Sequence, residues 1–245
     1  MSNDFPHLIV KQTEDICWVQ INRPEDRNSL HSDLISELTR FIESIEGTNT
    51  RAIVFRGVGE TYFIGGADGV EMHLLSPSEA KAFSINIQNL FNRMEASPLL
   101  MVAAINGLCF GGGCEFALAC DFRIASKQAR IGLPEVKVGI IPGGGGTQRL
   151  SRLVGVGKAL KIILEGHLFS GEEAFELGLV HYLVEHQELE KRGRKSSEKY
   201  LLSPSMHSLL PKRPYTPHNI SLLVKGYKWR QKNLENALFM IISEN

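Results

Sequence analysis

The 245 residues are enough for one large α/β domain or for a domain with an appendage, and the 43% of hydrophobic residues can build a sizeable core. The 27 basic and 27 acidic side chains cancel, so the overall charge gives no reason to expect a nucleic acid or a membrane surface as partner. No apolar run approaches the roughly 20 residues of a membrane span, and the first residues lack the pattern of a secretory signal. We therefore expect a cytoplasmic protein.

The cysteines indicate neither a metal site nor a disulfide framework. They form no CxxC pair with a histidine partner, which argues against zinc. Most of them lie in apolar or glycine-rich surroundings, as buried thiols do in a reducing compartment. The four residues are Cys17, Cys109, Cys114 and Cys120.

The first half of the chain predicts alternating strands and helices. Short apolar or β-branched runs indicate strands, and apolar residues that recur every three or four positions indicate amphipathic helices. In chain order we predict a hairpin of strands at Leu8 to Val10 and Ile16 to Ile21, a helix from Ser29 to Glu46, a strand from Arg51 to Gly57, a helix from Glu79 to Met94 and a strand from Leu99 to Ile105.

The second half is richer in helices, which together with the early strands predicts an α/β sheet with one helix-rich end. We predict a helix from Cys114 to Cys120, a strand from Phe122 to Ala125, a helix from Ser151 to Leu164, a helix from Glu172 to Leu177 that Ser170 caps, and a last helix from Trp229 to Ile242. Beyond residue 188 the chain turns basic and is broken by prolines. We therefore divide it into a core of residues 1–188 and a helical, basic C-terminal region of residues 189–245.

The segment from Gly111 to Glu115 is the first candidate for chemistry. An apolar strand leads into three consecutive glycines and then a helix, which exposes backbone N–H groups at the positive end of a helix dipole. This geometry suits a phosphate or an oxyanion, although a tight turn without a ligand would have the same sequence. Glu115 lies in the first turn among apolar residues, where it either complements the helix dipole or takes part in catalysis.

Glu135 is the second candidate. It follows Pro134 in a loop between apolar residues, 20 positions after Glu115 and on a different element. Two carboxylates from separate elements can flank one substrate and divide the roles of acid and base. The alternative is an exposed loop carboxylate that pairs with Lys137.

Two more glycine turns complete the set. The turn at Gly65 to Asp68 follows a strand and can supply a second inward N–H. The turn at Gly143 to Gly146 is followed by Thr147 as a candidate helix N-cap, and it lacks the Lys-Ser/Thr ending of a nucleotide-binding P-loop. We interpret this second turn as a structural support for the Glu135 loop.

Taken in order, these motifs resemble the enoyl-CoA hydratase/isomerase (crotonase) family over residues 8–188. The matching text is Asn22-Arg23-Pro24 with Asn28-Ser29-Leu30; Gly65-Gly66-Ala67-Asp68; Ala104-Ile105-Asn106-Gly107 with Gly111-Gly112-Gly113-Cys114-Glu115; Cys120-Asp121; Leu133-Pro134-Glu135 with Gly139; and Pro142 with Gly145-Gly146-Thr147-Gln148-Arg149. One such motif would be weak evidence, whereas the ordered set is specific.

The resemblance implies the fold, the assembly and the reaction class. It implies a spiral of ββα units with a helical C-terminal region, assembled as a homotrimer or hexamer, and a lyase of fatty acid metabolism that hydrates trans-2-enoyl-CoA. The main-chain N–H groups of Ala67 and Gly112 would bind the thioester oxygen. Coenzyme A is part of the substrate, and neither a metal nor another cofactor is implied.

The resemblance also assigns roles to side chains. Glu115 would orient and activate the water, and Glu135 would deliver a proton to the α carbon. Family isomerases keep the second carboxylate and lack the first, so the presence of both favours hydration over isomerisation or another acyl-CoA reaction. The residues implied to contact the substrate are Asp26, Arg27, Asn28, Gly66, Asp68, Met72, Leu75, Pro134 and Gly143, with Asp68 also fixing its own turn.

The C-terminal region departs from the family pattern. It is divergent and ends about where the family continues, so the resemblance predicts weaker CoA binding or altered assembly. Residues 191–245 hold eleven Lys or Arg against three Asp or Glu. A non-enzymatic relative that binds RNA through this excess is an alternative, although we favour a solvated face of the tail and expect no nucleic acid partner.

Overall fold

The structure is a computed structural model that describes residues 4–201. These residues form an α/β fold in which the strands build two sheets, as the sequence predicts. The strands are β1 Leu8–Thr13, β2 Ile16–Ile21, β3 Ala52–Gly57, β4 Tyr62–Ile64, β5 Leu100–Ile105, β6 Leu108–Phe110, β7 Phe122–Ser126, β8 Arg130–Gly132, β9 Leu168–Ser170 and β10 Tyr182–Val184.

The larger sheet has the order β1-β2-β3-β5-β7-β10, and the smaller has the order β4-β6-β8-β9. The larger sheet is parallel apart from β1, which forms the predicted hairpin with β2. Successive strands alternate between the sheets: β3, β5 and β7 lie in the larger one, and β4, β6 and β8 follow in the smaller one. This alternation repeats the ββα unit that the sequence resemblance predicts.

Eight α-helices in the described residues follow or separate these strands. They are α1 Ser32–Ile45, α2 Gly69–Leu74, α3 Pro77–Ala96, α4 Gly112–Ala119, α5 Gly146–Val154, α6 Val156–Glu165, α7 Gly171–Glu176 and α8 Leu189–Leu201. The predicted helices α1, α3, α4 and α7 are confirmed within a few residues. The capping of α7 by Ser170 is also confirmed, because its hydroxyl accepts the N–H of Glu173 and the Glu173 carboxylate accepts the N–H of Ser170.

One predicted element is wrong in its extent. The sequence predicts a single helix from Ser151 to Leu164, but the structure has two, α5 and α6, which are separated at Gly155. Gly155 has φ +83°, which is outside the helical region and favours glycine. The short strands of the smaller sheet and helix α2 were not predicted, because three to six residues are too few for a periodic pattern.

The core lies between the larger sheet and helices α1, α3 and α4. Phe116 of α4 is fully buried at its centre and makes edge-to-face contacts with Phe55, Phe63 and Phe91, whose ring centroids lie 5.0 to 6.1 Å away. Helix α4 is buried along its whole length. The start of this helix, where Gly112 and Glu115 lie, is therefore fixed by packing on every side.

The other face of the larger sheet is covered by α8, the first part of the basic C-terminal region. Leu189 joins the apolar cluster on this face, and a Cβ on Gly193 would lie 2.9 Å from the Trp18 ring. Two of its charged residues face partners: Glu190 pairs with Arg56, and the Arg192 guanidinium lies 3.7 Å from the Tyr182 ring centroid. The division at residue 188 stays a prediction, and the helix predicted from Trp229 to Ile242 lies outside the described residues.

No helix within residues 4–201 is long and apolar enough to cross a membrane.

Candidate active site

Two loops that are predicted to bind the substrate are hydrogen-bonded to each other through their backbones. The 22–30 loop and the turn before α2 meet at a parallel bridge between Leu30 and Ala67, with Leu30 N–H donating to Gly66 at 2.8 Å and Asp68 N–H donating to Leu30 at 2.8 Å. The N–H of Gly65 donates to the Arg27 carbonyl at 2.9 Å. The structure thus brings the predicted Asp26–Asn28 and Gly66–Asp68 segments together, whereas their contact with CoA stays a prediction.

Side chains in these loops hold the backbone. Asp68 caps α2 by accepting the N–H groups of Val70 and Glu71, both at 3.1 Å, and it also accepts a hydrogen bond from Arg23. The prediction that Asp68 fixes its own turn is therefore confirmed. Asn28 is fully buried, and its side chain bonds three backbone groups, so it supports the loop from inside, and its predicted contact with a substrate stays a prediction.

Arg27 and Asn28 both have positive φ, 59° and 54°, a conformation that is uncommon away from glycine. The 3₁₀ turn Pro24–Asp26 leads into them, and Asp26 is exposed and paired with Arg23. The buried amide of Asn28 stabilises this backbone by tying it to the carbonyls of Val58 and Tyr62, each at 3.1 Å. The loop is therefore a shaped, rigid surface rather than a flexible connection.

The N–H groups of Ala67 and Gly112 are unpaired and close together. Both hydrogen bonds of the Leu30–Ala67 bridge are made by the neighbours of Ala67, so its own N–H points away from Leu30. Gly112 is the first residue of α4, whose initial N–H groups have no partner within the helix. A Cβ on Gly112 would lie 3.1 Å from the Ala67 nitrogen. Within residues 4–201 neither N–H has an acceptor.

Gly111 makes this approach possible. Its φ of +55° with ψ −125° turns the chain from β6 into α4, a conformation that side chains rarely adopt. Its N–H donates to Gly132 at 3.0 Å and its carbonyl accepts the first N–H of the helix, from Glu115, at 2.9 Å. Gly111 is therefore explained by its backbone geometry, Gly112 by the space next to Ala67, and Gly113 by the Ile64 carbonyl oxygen, with which a Cβ would clash.

Glu115 is 2% exposed, and each of its carboxylate oxygens accepts a backbone hydrogen bond. Gly144 N–H donates to Oε2 at 2.9 Å, and Gly146 N–H donates to Oε1 at 2.6 Å. Two donors suit an ionised carboxylate, which only accepts, and they hold it in one orientation. The side chain is thus anchored inside the protein instead of complementing a helix end at the surface.

The second glycine turn therefore has a different role from the one predicted. It was predicted to support the Glu135 loop, but two of its amides bind Glu115. A Cβ on Gly144 would lie 2.6 Å from Glu115 Oε2, and a Cβ on Gly146 would lie 2.9 Å from Oε1, so both positions require glycine. The prediction of Thr147 as N-cap is wrong, because α5 begins at Gly146 and Gly145 is its N-cap.

Glu135 begins the 3₁₀ turn Glu135–Val138 and lies over the start of α4. A Cβ on Gly111 would be 3.4 Å from its Oε1 and 3.9 Å from the Gly66 Cα, so Glu135 lies beside the Ala67–Gly112 pair. Its Oε2 is buried without a hydrogen-bond partner among the described residues. Burial, with the negative charge of Glu115 as the second cause, raises the pKa of Glu135 from 4.5 to about 8.

This environment contradicts the alternative of an exposed loop carboxylate. The ion pairs of residues 4–201 include none between Glu135 and Lys137, and Lys137 is exposed. A carboxyl group that keeps its proton at neutral pH can act as an acid. The two glutamates thus have different environments: Glu115 is anchored by two N–H donors, whereas Glu135 is desolvated.

The remaining predicted substrate contacts lie around this centre. Met72 and Leu75 are half-buried against the core, with one side of each still accessible. Pro134 precedes the 3₁₀ turn of Glu135, and Gly143 precedes the amide that binds Glu115. Their contact with an acyl chain stays a prediction.

Sequence reasoning missed the residues that support the second glycine turn. The buried Arg149 of α5 donates from Nη1 to the Gly144 carbonyl at 2.9 Å and from Nη2 to Glu95 at 2.9 Å. From α3, Gln88 and Ser84 bind the Gly143 carbonyl. Arg149 stands in the matched family motif, whereas nothing in the local sequence distinguishes Gln88 and Ser84 from other polar residues of a helix.

No group of three His, Cys, Asp or Glu side chains within residues 4–201 is arranged to hold a metal ion. All four cysteines are buried free thiols, and burial raises the pKa of Cys17 to about 11 and those of the other three further. They are therefore poor nucleophiles. The expected absence of a cofactor stays a prediction.

Comparisons with known proteins place this chain in a family. The sequence profile of enoyl-CoA hydratase/isomerase matches residues 11–238. The short-chain-enoyl-CoA hydratase of Clostridium acetobutylicum is 41% identical over 197 residues, which span 80% of this chain and 76% of that protein. A solved enoyl-CoA hydratase from Bacillus anthracis has a TM-score of 0.82 and 34% identity, covering 96% of this chain and 91% of that one. The human mitochondrial delta3-delta2-enoyl-CoA isomerase has a TM-score of 0.84 and 25% identity, covering 97% of each chain. The chain belongs to the enoyl-CoA hydratase/isomerase family.

Proposed function

We propose that this protein hydrates trans-2-enoyl-CoA thioesters to 3-hydroxyacyl-CoA. The observation that carries the proposal is the pair of glutamates with opposite environments next to two unpaired N–H groups. The name of the Clostridium acetobutylicum relative, a short-chain-enoyl-CoA hydratase, supports the reaction class. In this reaction the hydroxyl of a water joins the β carbon and a proton joins the α carbon.

The N–H groups of Ala67 and Gly112 bind the thioester oxygen. When water attacks the β carbon, electrons of the double bond move toward the carbonyl and the oxygen gains negative charge. Two fixed donors stabilise this charge as it develops, and removal of one such donor typically slows a reaction by about a hundred- to a thousandfold. The positive end of α4 adds to the same effect because Gly112 is its first residue.

Glu115 holds the attacking water. Each carboxylate oxygen accepts one N–H, and because a carboxylate oxygen can accept more than one hydrogen bond, an O–H of water can be accepted as well. The carboxylate accepts a proton from the water as the C–O bond forms. Because the anchoring amides fix its orientation, the water is held at one point relative to Ala67 and Gly112.

Glu135 supplies the proton to the α carbon. Its raised pKa keeps it protonated at neutral pH, and its buried Oε2, which has no partner within the described part of the chain, is available for a proton shared with the substrate. Proton balance is restored when the proton that Glu115 takes from the water is returned to Glu135 directly or through solvent. The two roles thus follow from burial and hydrogen bonding.

The 22–30 loop and the Gly66–Asp68 turn bind the CoA moiety largely through main-chain groups, and Met72 and Leu75 line the acyl pocket. We also propose assembly as a homotrimer or hexamer. Helix α6 presents exposed apolar side chains suited to coverage by another subunit: Val156 is 73% exposed, Leu160 56% and Leu164 62%. Mass measurement in solution tests this assembly, and a monomer at micromolar concentration would contradict it.

A short ladder of acyl-CoA thioesters tests the function. We expect loss of the conjugated-thioester absorbance with crotonyl-CoA, with rates that change as the acyl chain lengthens. Turnover of 3-enoyl-CoA without turnover of 2-enoyl-CoA would refute hydration and favour isomerisation. Absence of turnover on both, together with salt-dependent RNA binding, would favour the non-enzymatic alternative.

A further inference from the structure

One peptide unit connects Glu115 to helix α3. Its N–H belongs to Gly144 and donates to Glu115 Oε2 at 2.9 Å. Its carbonyl belongs to Gly143 and accepts from Gln88 Nε2 at 2.6 Å and from Ser84 Oγ at 3.0 Å. Gln88 Nε2 also donates to Ser84 Oγ at 3.2 Å. The same amide plane is therefore hydrogen-bonded to the carboxylate at one end and to two side chains of α3 at the other.

We propose that Gln88, together with Ser84, is a positioning residue that orients the 143–144 peptide and thereby fixes the Glu115 carboxylate for catalysis. The proposal rests on the hydration function argued above. Gln88 acts through the peptide, because its hydrogen bonds within residues 4–201 go to the Gly143 carbonyl and to Ser84.

The peptide needs such a restraint because glycines flank it on both sides. Glycine has the largest conformational freedom of any residue, so a peptide between two glycines can rotate with little steric resistance. Rotation would turn the N–H away from Glu115 and could bring a carbonyl oxygen toward the carboxylate. Two donors on the Gly143 carbonyl oppose this rotation, and Arg149 restrains the next peptide through the Gly144 carbonyl.

The hydrogen bonds also strengthen one another. A carbonyl that accepts two hydrogen bonds makes the N–H of the same amide a better donor. Gln88 and Ser84 are four positions apart on α3, so they lie on the same face of the helix, and both are half-buried toward Gly143. The arrangement thus places the polarising side chains at a carbonyl whose amide N–H contacts Glu115 Oε2.

The test is the variant Gln88→Met, which keeps the length of the side chain and removes its donor. We expect kcat for crotonyl-CoA to fall about tenfold while KM changes less than about twofold, because Glu115 is displaced by a fraction of an ångström. We also expect the alkaline limb of the pH profile of kcat/KM to move to lower pH, because a Glu115 carboxylate that moves away from Glu135 raises the pKa of Glu135 less. This shift follows because the charge of Glu115 helps to keep Glu135 protonated.

Asn89→Ala is the matched control, since Asn89 is the next residue of α3 and is exposed. It should leave kcat, KM and the pH profile unchanged. A merely structural role for Gln88 would lower the melting temperature without moving the alkaline limb. Unchanged kcat and an unchanged limb in folded Gln88→Met would overturn the proposal.

If Gln88→Met does not fold, Ser84→Ala decides the question alone. It removes the other donor to Gly143, and we expect a loss of about threefold in kcat with a shift of the limb in the same direction. No change in either quantity would overturn the proposal. Failure of the wild-type protein to hydrate crotonyl-CoA, or full activity of Glu115→Gln, would instead refute the proposed function itself.

Discussion

Replacement of Glu115 by glutamine affects both stability and turnover, and the structure gives the size of each effect. A glutamine side chain offers one oxygen and one NH₂ group where the carboxylate offers two oxygens. Only one of Gly144 and Gly146 can keep its acceptor, and the other buried N–H would face a donor. An unsatisfied buried donor costs about 1–3 kcal/mol, so we expect the free energy of unfolding to fall by that amount.

Turnover of Glu115→Gln should fall much more. The variant removes the acceptor for the proton of water. We therefore expect kcat for crotonyl-CoA to fall about a hundredfold or more, as measured by the decay of the thioester absorbance. The control is Glu173→Gln, which alters the surface capping box of α7 and should leave kcat unchanged. A folded Glu115→Gln protein with kcat within about threefold of the wild-type value would refute the role of Glu115. An unchanged free energy of unfolding would refute the anchoring by two amides.

Three further predictions follow from the site. Because the pKa of Glu135 is raised, the native carboxyl keeps its proton between pH 4.5 and about 8 while the unfolded chain loses it. Stability should therefore fall with rising pH in this window, by at most about 1.4 kcal/mol per unit, and level off above it. Glu135→Gln should lack this dependence in denaturant titrations and should lose turnover; a dependence equal to that of the wild-type protein would contradict the assignment. Gly144→Ala places a Cβ 2.6 Å from Glu115 Oε2 and should lower kcat by about tenfold or more, whereas Gly157→Ala, with nothing within 4 Å, should leave it unchanged; equal rates in both would contradict the close packing. Asp68→Ala removes the cap of α2 and should lower kcat/KM as the turn bearing Ala67 loosens, with a loss of about 1 kcal/mol in unfolding free energy; unchanged kcat/KM would show that the cap does not hold this turn.

The sequence predicts the fold well where elements are long or distinctly patterned. Helices α1 and α3 follow from apolar periodicity, and strands β1, β2, β3, β5 and β7 of the larger sheet follow from apolar or β-branched runs long enough to be recognised. The strands β4, β6 and β8 have three residues each, and they exist because the neighbouring strands of the larger sheet bring them side by side. Strands that depend on such tertiary contacts have no recognisable pattern in their own short sequences.

The candidate site likewise has a part that the sequence predicts and a part that it does not. Glu115, Glu135 and the glycines around Ala67 and Gly112 were identified from motif order, and the structure brings them together. The hydrogen bonds from Gly144 and Gly146 to Glu115 could not be predicted, because they join residues about 30 positions apart through backbone groups. Every residue except proline has a backbone N–H group, so the sequence does not show which of them bind a side chain. The glycines at positions 144 and 146 indicate only that another group approaches the backbone closely.

The most direct test of the central claim is hydration of crotonyl-CoA in water enriched in oxygen-18, with the product analysed by mass spectrometry. We predict a 3-hydroxybutyryl-CoA product that carries one oxygen-18 at the β carbon, formed by the wild-type protein and almost absent with Glu115→Gln or Glu135→Gln. Recovery of unlabelled crotonyl-CoA, or of an isomer of unchanged mass, after prolonged incubation with the folded wild-type protein would contradict the account.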